Sequence, residues 1–254
     1  MFWRLLLICL LAAMPARANE TVVAGLSQAW VSITANFAGS EILVFGAVKR
    51  TAPIPEEPPL NVIITITGPS HPVTVRKKDR RLGIWVNTES LEMDTAPAFY
   101  AVATTAPLSD ALTDAQDQKH YISIGRAIHA QRGTLSADKV NEYVDAIVRI
   151  RSENGLYQIR ENSVELTEDT LFRTSVALPS NLTEGTYFTR IFLTRGGEVI
   201  DTYITSITVS KVGLERWIYN LAHQQPLVYG ILSLAIAIAA GWGASAFFRV
   251  IRLG

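Results

Sequence analysis

The chain has almost no cysteine. Its single thiol, Cys9, lies in an apolar segment at the amino end. Beyond that segment, neither the fold nor any chemistry can rest on disulfides, a thiol nucleophile or cysteine-bound metal. Histidine is scarce too. His71, His120, His129 and His223 show no metal spacing, such as two histidines four apart on a helix. No serine sits in a Gly-x-Ser-x-Gly elbow, and glycine-rich phosphate loops are missing. Net charge is also lacking, with 23 basic and 23 acidic residues. Taking Arg4 and Arg17 from the basic set leaves 21, a balance that argues against general affinity for nucleic acid. No cofactor is expected, and no residue pattern identifies a reaction.

What the chain does have is two apolar ends. At the first, Arg4 is followed by the apolar run Leu5 to Ala13 and by Ala16-Arg17-Ala18. This is the plan of a secretory signal peptide over residues 1–18, with the mature chain starting near Asn19. At the second, 22 residues from Leu227 to Phe248 carry no charge. As a helix they would reach roughly 33 Å, enough to cross a hydrocarbon core of about 30 Å. Arg249 and Arg252 follow, so the positive-inside tendency places residues 249–254 in the cytoplasm and the bulk in the periplasm of a bacterial inner membrane. Trp217, Tyr219 and Tyr229 before or at the start of the span, and Trp242, Phe247 and Phe248 near its far end, suit the headgroup boundary.

Between the ends the pattern is mainly β. In residues 19–106, Val31, Ile33, Ala35 and Phe37 alternate with polar neighbours, as in a half-buried strand. The denser run Glu41 to Val48 predicts a strand covered on both faces. A loop with Pro53, Pro55, Pro58 and Pro59 comes next. Asn61 to Thr67 is β-branched and stops at Gly68-Pro69; Val73 to Lys77, Leu82 to Val86 and Phe99 to Thr104 are further strands. Residues 107–155 read as a helical insert, with a short helix capped by Ser109 and a clearer one from Ser136 to Asn154-Gly155. On the second, Val140, Tyr143, Val144, Ile147 and Ile150 recur at helical spacing. In residues 156–212 the β pattern returns: Leu171 to Leu178, Gly185 to Thr194, and a Gly196-Gly197 hairpin into Glu198 to Ser210. The expected fold is an immunoglobulin-like β-sandwich, as one or two regions, with a central helical insert and one carboxyl-terminal span. The late strands either form a second sandwich or rejoin the first. Residues 213–226 form a juxtamembrane stalk.

Two clusters are candidates for binding. Arg76, Lys77, Lys78, Arg80 and Arg81, interrupted only by Asp79, offer an anion, a lipid headgroup or an acidic partner a basic surface, or form the solvated tip of a hairpin. The adjacent Trp85 is read as core, from its alternation with Gly83. Ser233, Ala237, Gly241 and Ser245 fall at intervals of four and share one helix face, where a second span can approach. Asp110, Asp114 and Asp117 are explained by helix starts.

The phrases EILVFGAV (41–48), GIWVN (83–87), FYAVATTAPL (99–108), LFRTSVALP (171–179) and GLERWIYNLAHQQPLVYG (213–230), then GW at 241–242, occur in this order. In these the chain resembles a family of alphaproteobacterial transmembrane proteins without assigned activity. The resemblance supplies no catalytic residue. It implies a partner, because family genes tend to lie beside a gene for a sulfite-exporter-like membrane protein. The expectation is therefore a non-enzymatic, membrane-anchored periplasmic accessory protein. Its partners would be the bilayer and another inner-membrane protein, or itself through the span. The alternative is a solute-binding or envelope-sensing module for an anion.

Overall fold

The computed structural model describes residues 20–34, 36–55, 57–130 and 136–253. The expected signal peptide lies outside these. Among the described residues the strands are β1 (Thr21–Leu26), β2 (Trp30–Ile33), β3 (Ser40–Lys49), β4 (Leu60–Thr67), β5 (Ser70–Arg81), β6 (Ile84–Pro97), β7 (Tyr100–Thr104), β8 (His129–Ala130), β9 (Tyr157–Arg160), β10 (Glu165–Thr167), β11 (Leu171–Leu178), β12 (Gly185–Arg195) and β13 (Glu198–Lys211). The helices are α1 (Leu108–Ala111), α2 (Asp114–His120), α3 (Ile124–Ala127), α4 (Ala137–Glu153), α5 (Leu214–Gln224) and α6 (Pro226–Leu253). They fall into two compact units, one of residues up to Val31 with Ala38–Val209, the other of Ser32–Phe37 with Ser210–Gly254.

The first unit is mainly β. One sheet has the order β1-β3-β11-β10, a second β2-β13-β12-β4-β7-β9, and a third β5-β6-β8. Late strands pair with early ones: β11 runs antiparallel to β3, with Thr174 opposite Val44, and β12 to β4, with Ile191 opposite Ile64. Of the two arrangements the sequence left open, the strands rejoin the first sheets. The period of two decides which face of each strand is covered. On β11, Phe172, Thr174, Val176 and Leu178 are buried; on β3, Ile42, Val44 and Val48. The expectation that Glu41 to Val48 is covered on both faces is corrected here, because Leu43 and Phe45 alternate onto an exposed side.

β4 does have both faces covered. Ile63 shares one core with Tyr100, Val102, Phe192 and Tyr157 from the same sheet and with Met93 of the hairpin, Tyr143 and Ile147 of α4, and Leu112 and Ile122 between the short helices. On the opposite face Val62, Ile64 and Ile66 are equally buried. The four-stranded sheet touches the six-stranded one where β1 meets β12 and β11 meets β7. β7 and β9 pair in parallel, with Val102 opposite Ile159. A parallel pair needs a long crossover, which is the role of the helical residues between them. α4 begins after Ser136 and stops at Asn154 and Gly155 (φ +70°), burying Tyr143, Val144 and Ile147. The first short helix is set by Pro107 rather than Ser109, since Pro107 precedes Leu108 as its N-cap and Ser109 is already helical.

In the second unit, Gly213 precedes α5, and Gln225 separates α5 from α6, which opens on Pro226. Proline suits a first helical turn, where its missing N–H is not required. The segment Pro226–Ser245 of α6 has mean hydropathy 1.9, and none of it is buried within the protein. By length and composition this helix can cross a membrane.

Candidate functional site

The basic run does not sit at one place. β5 extends beyond the expected strand and carries all five cations on its outer half, paired with β6 through Lys77–Glu89, Lys78–Asn87, Arg80–Trp85 and Arg81–Ile84. Arg76, Lys77 and Lys78 form one wall of a groove of about 670 Å³ whose other wall is α4, with Glu142, Asp145, Ala146, Arg149 and Ile150. Arg80 and Arg81 lie outside this groove, nearer the turn. Across the groove Lys77 Nζ donates to Glu142 Oε1 at 2.6 Å. That bond holds the Glu142 carboxyl below its usual range and raises the Lys77 ammonium. On the neighbouring strand, opposite Lys77, Glu89 Oε2 accepts from Tyr143 Oη at 3.2 Å, and Lys139 Nζ lies 3.8 Å from the same carboxylate. With one cation spent on Glu142, the groove keeps Arg76, Lys78 and Arg149 against Asp145. These charges leave the groove net cationic.

Arg149 and Glu142 were not foreseen. The signal was available: once the apolar stripe of α4 is assigned, residues 142, 145, 146 and 149 share its flank by helical spacing. The β5–β6 turn holds a second difference. Leu82 and Gly83 both take positive φ, +50° and +87°, so the hairpin closes in a two-residue turn. Trp85 is not core. It is 68 % exposed, Ile84 is 65 % exposed, and Leu82 stands fully in solvent. Val86 alone in this stretch is even half-covered.

Elsewhere polar groups are committed to architecture. Arg190 donates to His120 O (2.8 Å), Tyr121 O (3.0 Å), Tyr100 Oη (3.1 Å) and Thr65 Oγ1 (3.2 Å), which ties the end of α2 to the sheet. It lines a cleft of about 570 Å³ with Tyr100, Tyr121, His129, Phe188 and Ile204. Burial lowers the His120 pKa and raises that of Tyr100. Asp117 Oδ1 accepts from the N–H groups of Ile122 and Ser123 at 3.0 and 2.7 Å, so it organises the following turn. His71 lies on β5. Among the described residues no group of three His, Cys, Asp or Glu side chains could hold a metal ion.

Ser233, Ala237, Gly241 and Ser245 all lie on α6 and are exposed. A Cβ added at Gly241 would meet nothing within 4 Å. Trp217 and Tyr219 on α5 are exposed as well, and the Tyr219 ring stacks on His223 at 4.0 Å. The comparison with curated proteins found no match to the chain. The family described as "Putative transmembrane protein (Alph_Pro_TM)" matches residues 21–250, and the chain belongs to this family, with one helix among the described residues long and apolar enough to cross a membrane.

Proposed function

We propose that this membrane-anchored protein is a non-enzymatic accessory subunit in a bacterial inner membrane. Its β unit lies in the periplasm, its carboxyl terminus in the cytoplasm, and another inner-membrane protein packs on its span. An exporter of small anions, of the sulfite type, is the partner this reading favours. The observation that carries it is the bare face of α6. Small residues at 233, 237, 241 and 245 leave room for a second helix to come close, and Gly241 has open space around it. Arg249 and Arg252 after the apolar segment favour the stated orientation.

The test is affinity purification of the full chain from its native membrane after brief crosslinking, with mass spectrometry. A stoichiometric membrane protein is expected, and it should be lost in Gly241→Leu and Ser245→Leu. Recovery of the chain alone, or only with itself, removes the accessory-subunit reading.

The groove between β5 and α4 favours a second reading, a solute-binding or envelope-sensing module for an anion. Arg76, Lys78 and Arg149 would then hold the ligand. Sulfite or sulfate should raise the thermal unfolding midpoint of the full chain in detergent, and Arg76→Ala with Arg149→Ala should erase the rise. No rise with either anion removes this reading without touching the first.

A further inference from the structure

The outer end of the β5–β6 hairpin sets two arginines among large apolar side chains that stand in solvent. Residues directly opposite in an antiparallel pair share a face. Arg80 faces Trp85 on one side of the ribbon, and Arg81 faces Ile84 on the other. Each face therefore carries one guanidinium beside one large apolar side chain. Between them stands Leu82, fully exposed and in the left-handed region at φ +50°. A bulky residue in that region costs of order 1 kcal/mol, and glycine or asparagine would make the same turn without it. Neither the strain of Leu82 nor the exposure of Ile84 and Trp85 does anything for the fold, because none of the three reaches its core clusters.

We propose that this tip is a lipid-surface contact that seats on a bilayer rich in anionic headgroups. Leu82, Ile84 and Trp85 enter the headgroup and upper acyl region, where an indole is at home. Arg80 and Arg81 stay at phosphate level and form charge-assisted hydrogen bonds with it, their aliphatic stems lying along the apolar tip. Lys78, on the Arg80 face, adds to the attraction that a negative surface exerts on clustered cations. Among the described residues Lys78 and Arg80 have no ion-pair partner, and Arg81 reaches only Asp79, at 4.0 Å. A bilayer is the occupant this chemistry fits, since a helix of the same chain is long and apolar enough to cross one. The proposal does not rest on a partner on the span; it shares Lys78 with the groove, while Arg80 and Arg81, which its test reverses, lie outside the groove.

The test uses the full chain with Cys9→Ser and Leu82→Cys, labelled at residue 82 with an environment-sensitive fluorophore. It is reconstituted in nanodiscs of phosphatidylcholine alone or with about a third phosphatidylglycerol, both containing a nitroxide lipid. Quenching at residue 82 should be at least about twofold greater in the anionic discs, with a blue-shifted emission. Arg80→Glu with Arg81→Glu should return it to the neutral-disc level without moving the thermal unfolding midpoint, because both side chains are exposed. A label at Glu41→Cys, on the four-stranded sheet, should not respond. Equal quenching in the two discs overturns the proposal, as does indifference to the charge reversal. A label that stays in water in both discs overturns it too, and leaves the tip to an acidic protein surface.

Discussion

Glu20 is the carboxylate on which two arginines converge. Arg50 Nε donates to its Oε1 at 2.6 Å, while Arg195 donates through Nε to Oε2 at 2.7 Å and through Nη2 to Oε1 at 3.0 Å. Its side chain is 2 % exposed, and those of the arginines 8 % and 10 %. Removing one partner of so buried a group leaves uncompensated charge, which costs about 3 kcal/mol or more. Glu20→Ala should therefore lower the unfolding free energy by a comparable amount. Chemical unfolding of the wild type and variant at neutral pH checks it. The same contact gives acid sensitivity. Hydrogen bonding to Arg195, then to Arg50, holds the Glu20 pKa below its ordinary 4.5 despite the opposing effect of burial. A depressed folded pKa stabilises the protein above the unfolded value, and that stability is lost as pH falls through the folded one. The variant should accordingly lose less stability than the wild type when pH is lowered beneath about 4.5. Parallel stability–pH curves would exclude Glu20 as the titrating group. Tyr187 is a smaller case. Its hydroxyl donates to Thr183 O at 2.8 Å, and burial pushes its pKa up to about 12. Tyr187→Phe should cost about 1 kcal/mol, measured in the same unfolding experiment.

Individual strands show why some elements are set by a single position. In β3, a Cβ at Gly46 would lie 2.4 Å from the Phe172 ring and 2.6 Å from the Val23 carbonyl oxygen. The second atom is backbone and cannot swing aside. Gly46→Ala should thus force β1 and β11 away from β3 at a cost of about 1–3 kcal/mol. A variant as stable as wild type would show that the three strands do not approach so closely. Much at this scale was legible. Leu171 to Leu178 alternates cleanly and ends at Pro179, and β11 spans those residues. Gly196 and Gly197 mark the turn between β12 and β13. The misreadings share one cause. A dense apolar run such as Glu41 to Val48 cannot say whether a second layer covers its far side, and here none covers Leu43 and Phe45. Trp85 alternates properly too, but alternation shows which residues share a face and not whether that face meets a core. The short strands β1, β9 and β10 carry little signal of their own; each is a strand because a longer neighbour pairs with it.

Across the β unit, sequence order and spatial order diverge. β4, from the first half of the chain, lies between β7 and β12, and β3 lies between β1 and β11. Each half therefore leaves central strands without partners. A chain ending at Ala106 would expose the edge of β3 that β11 fills and the side of β4 that β12 fills. It would also lose Tyr143, Ile147 and Phe192 from the core shared with Ile63 and Tyr100. Unpaired edges and an open core of this extent cannot offset the conformational entropy of ordering the segment. The truncated chain should be unfolded, with a random-coil circular dichroism spectrum and collapsed amide dispersion. The intact β unit should unfold in one transition reported alike by near-ultraviolet dichroism of the buried Tyr100, Tyr157 and Tyr187 and by far-ultraviolet dichroism. Two separate transitions, or a dispersed spectrum from the truncated chain, would mean that the early strands form a sheet on their own. The interleaving also explains the position of the helical insert. It stands between β7 and β9 because those neighbours run parallel, and its long helix then covers the face of β4 and β7 that the four-stranded sheet does not reach.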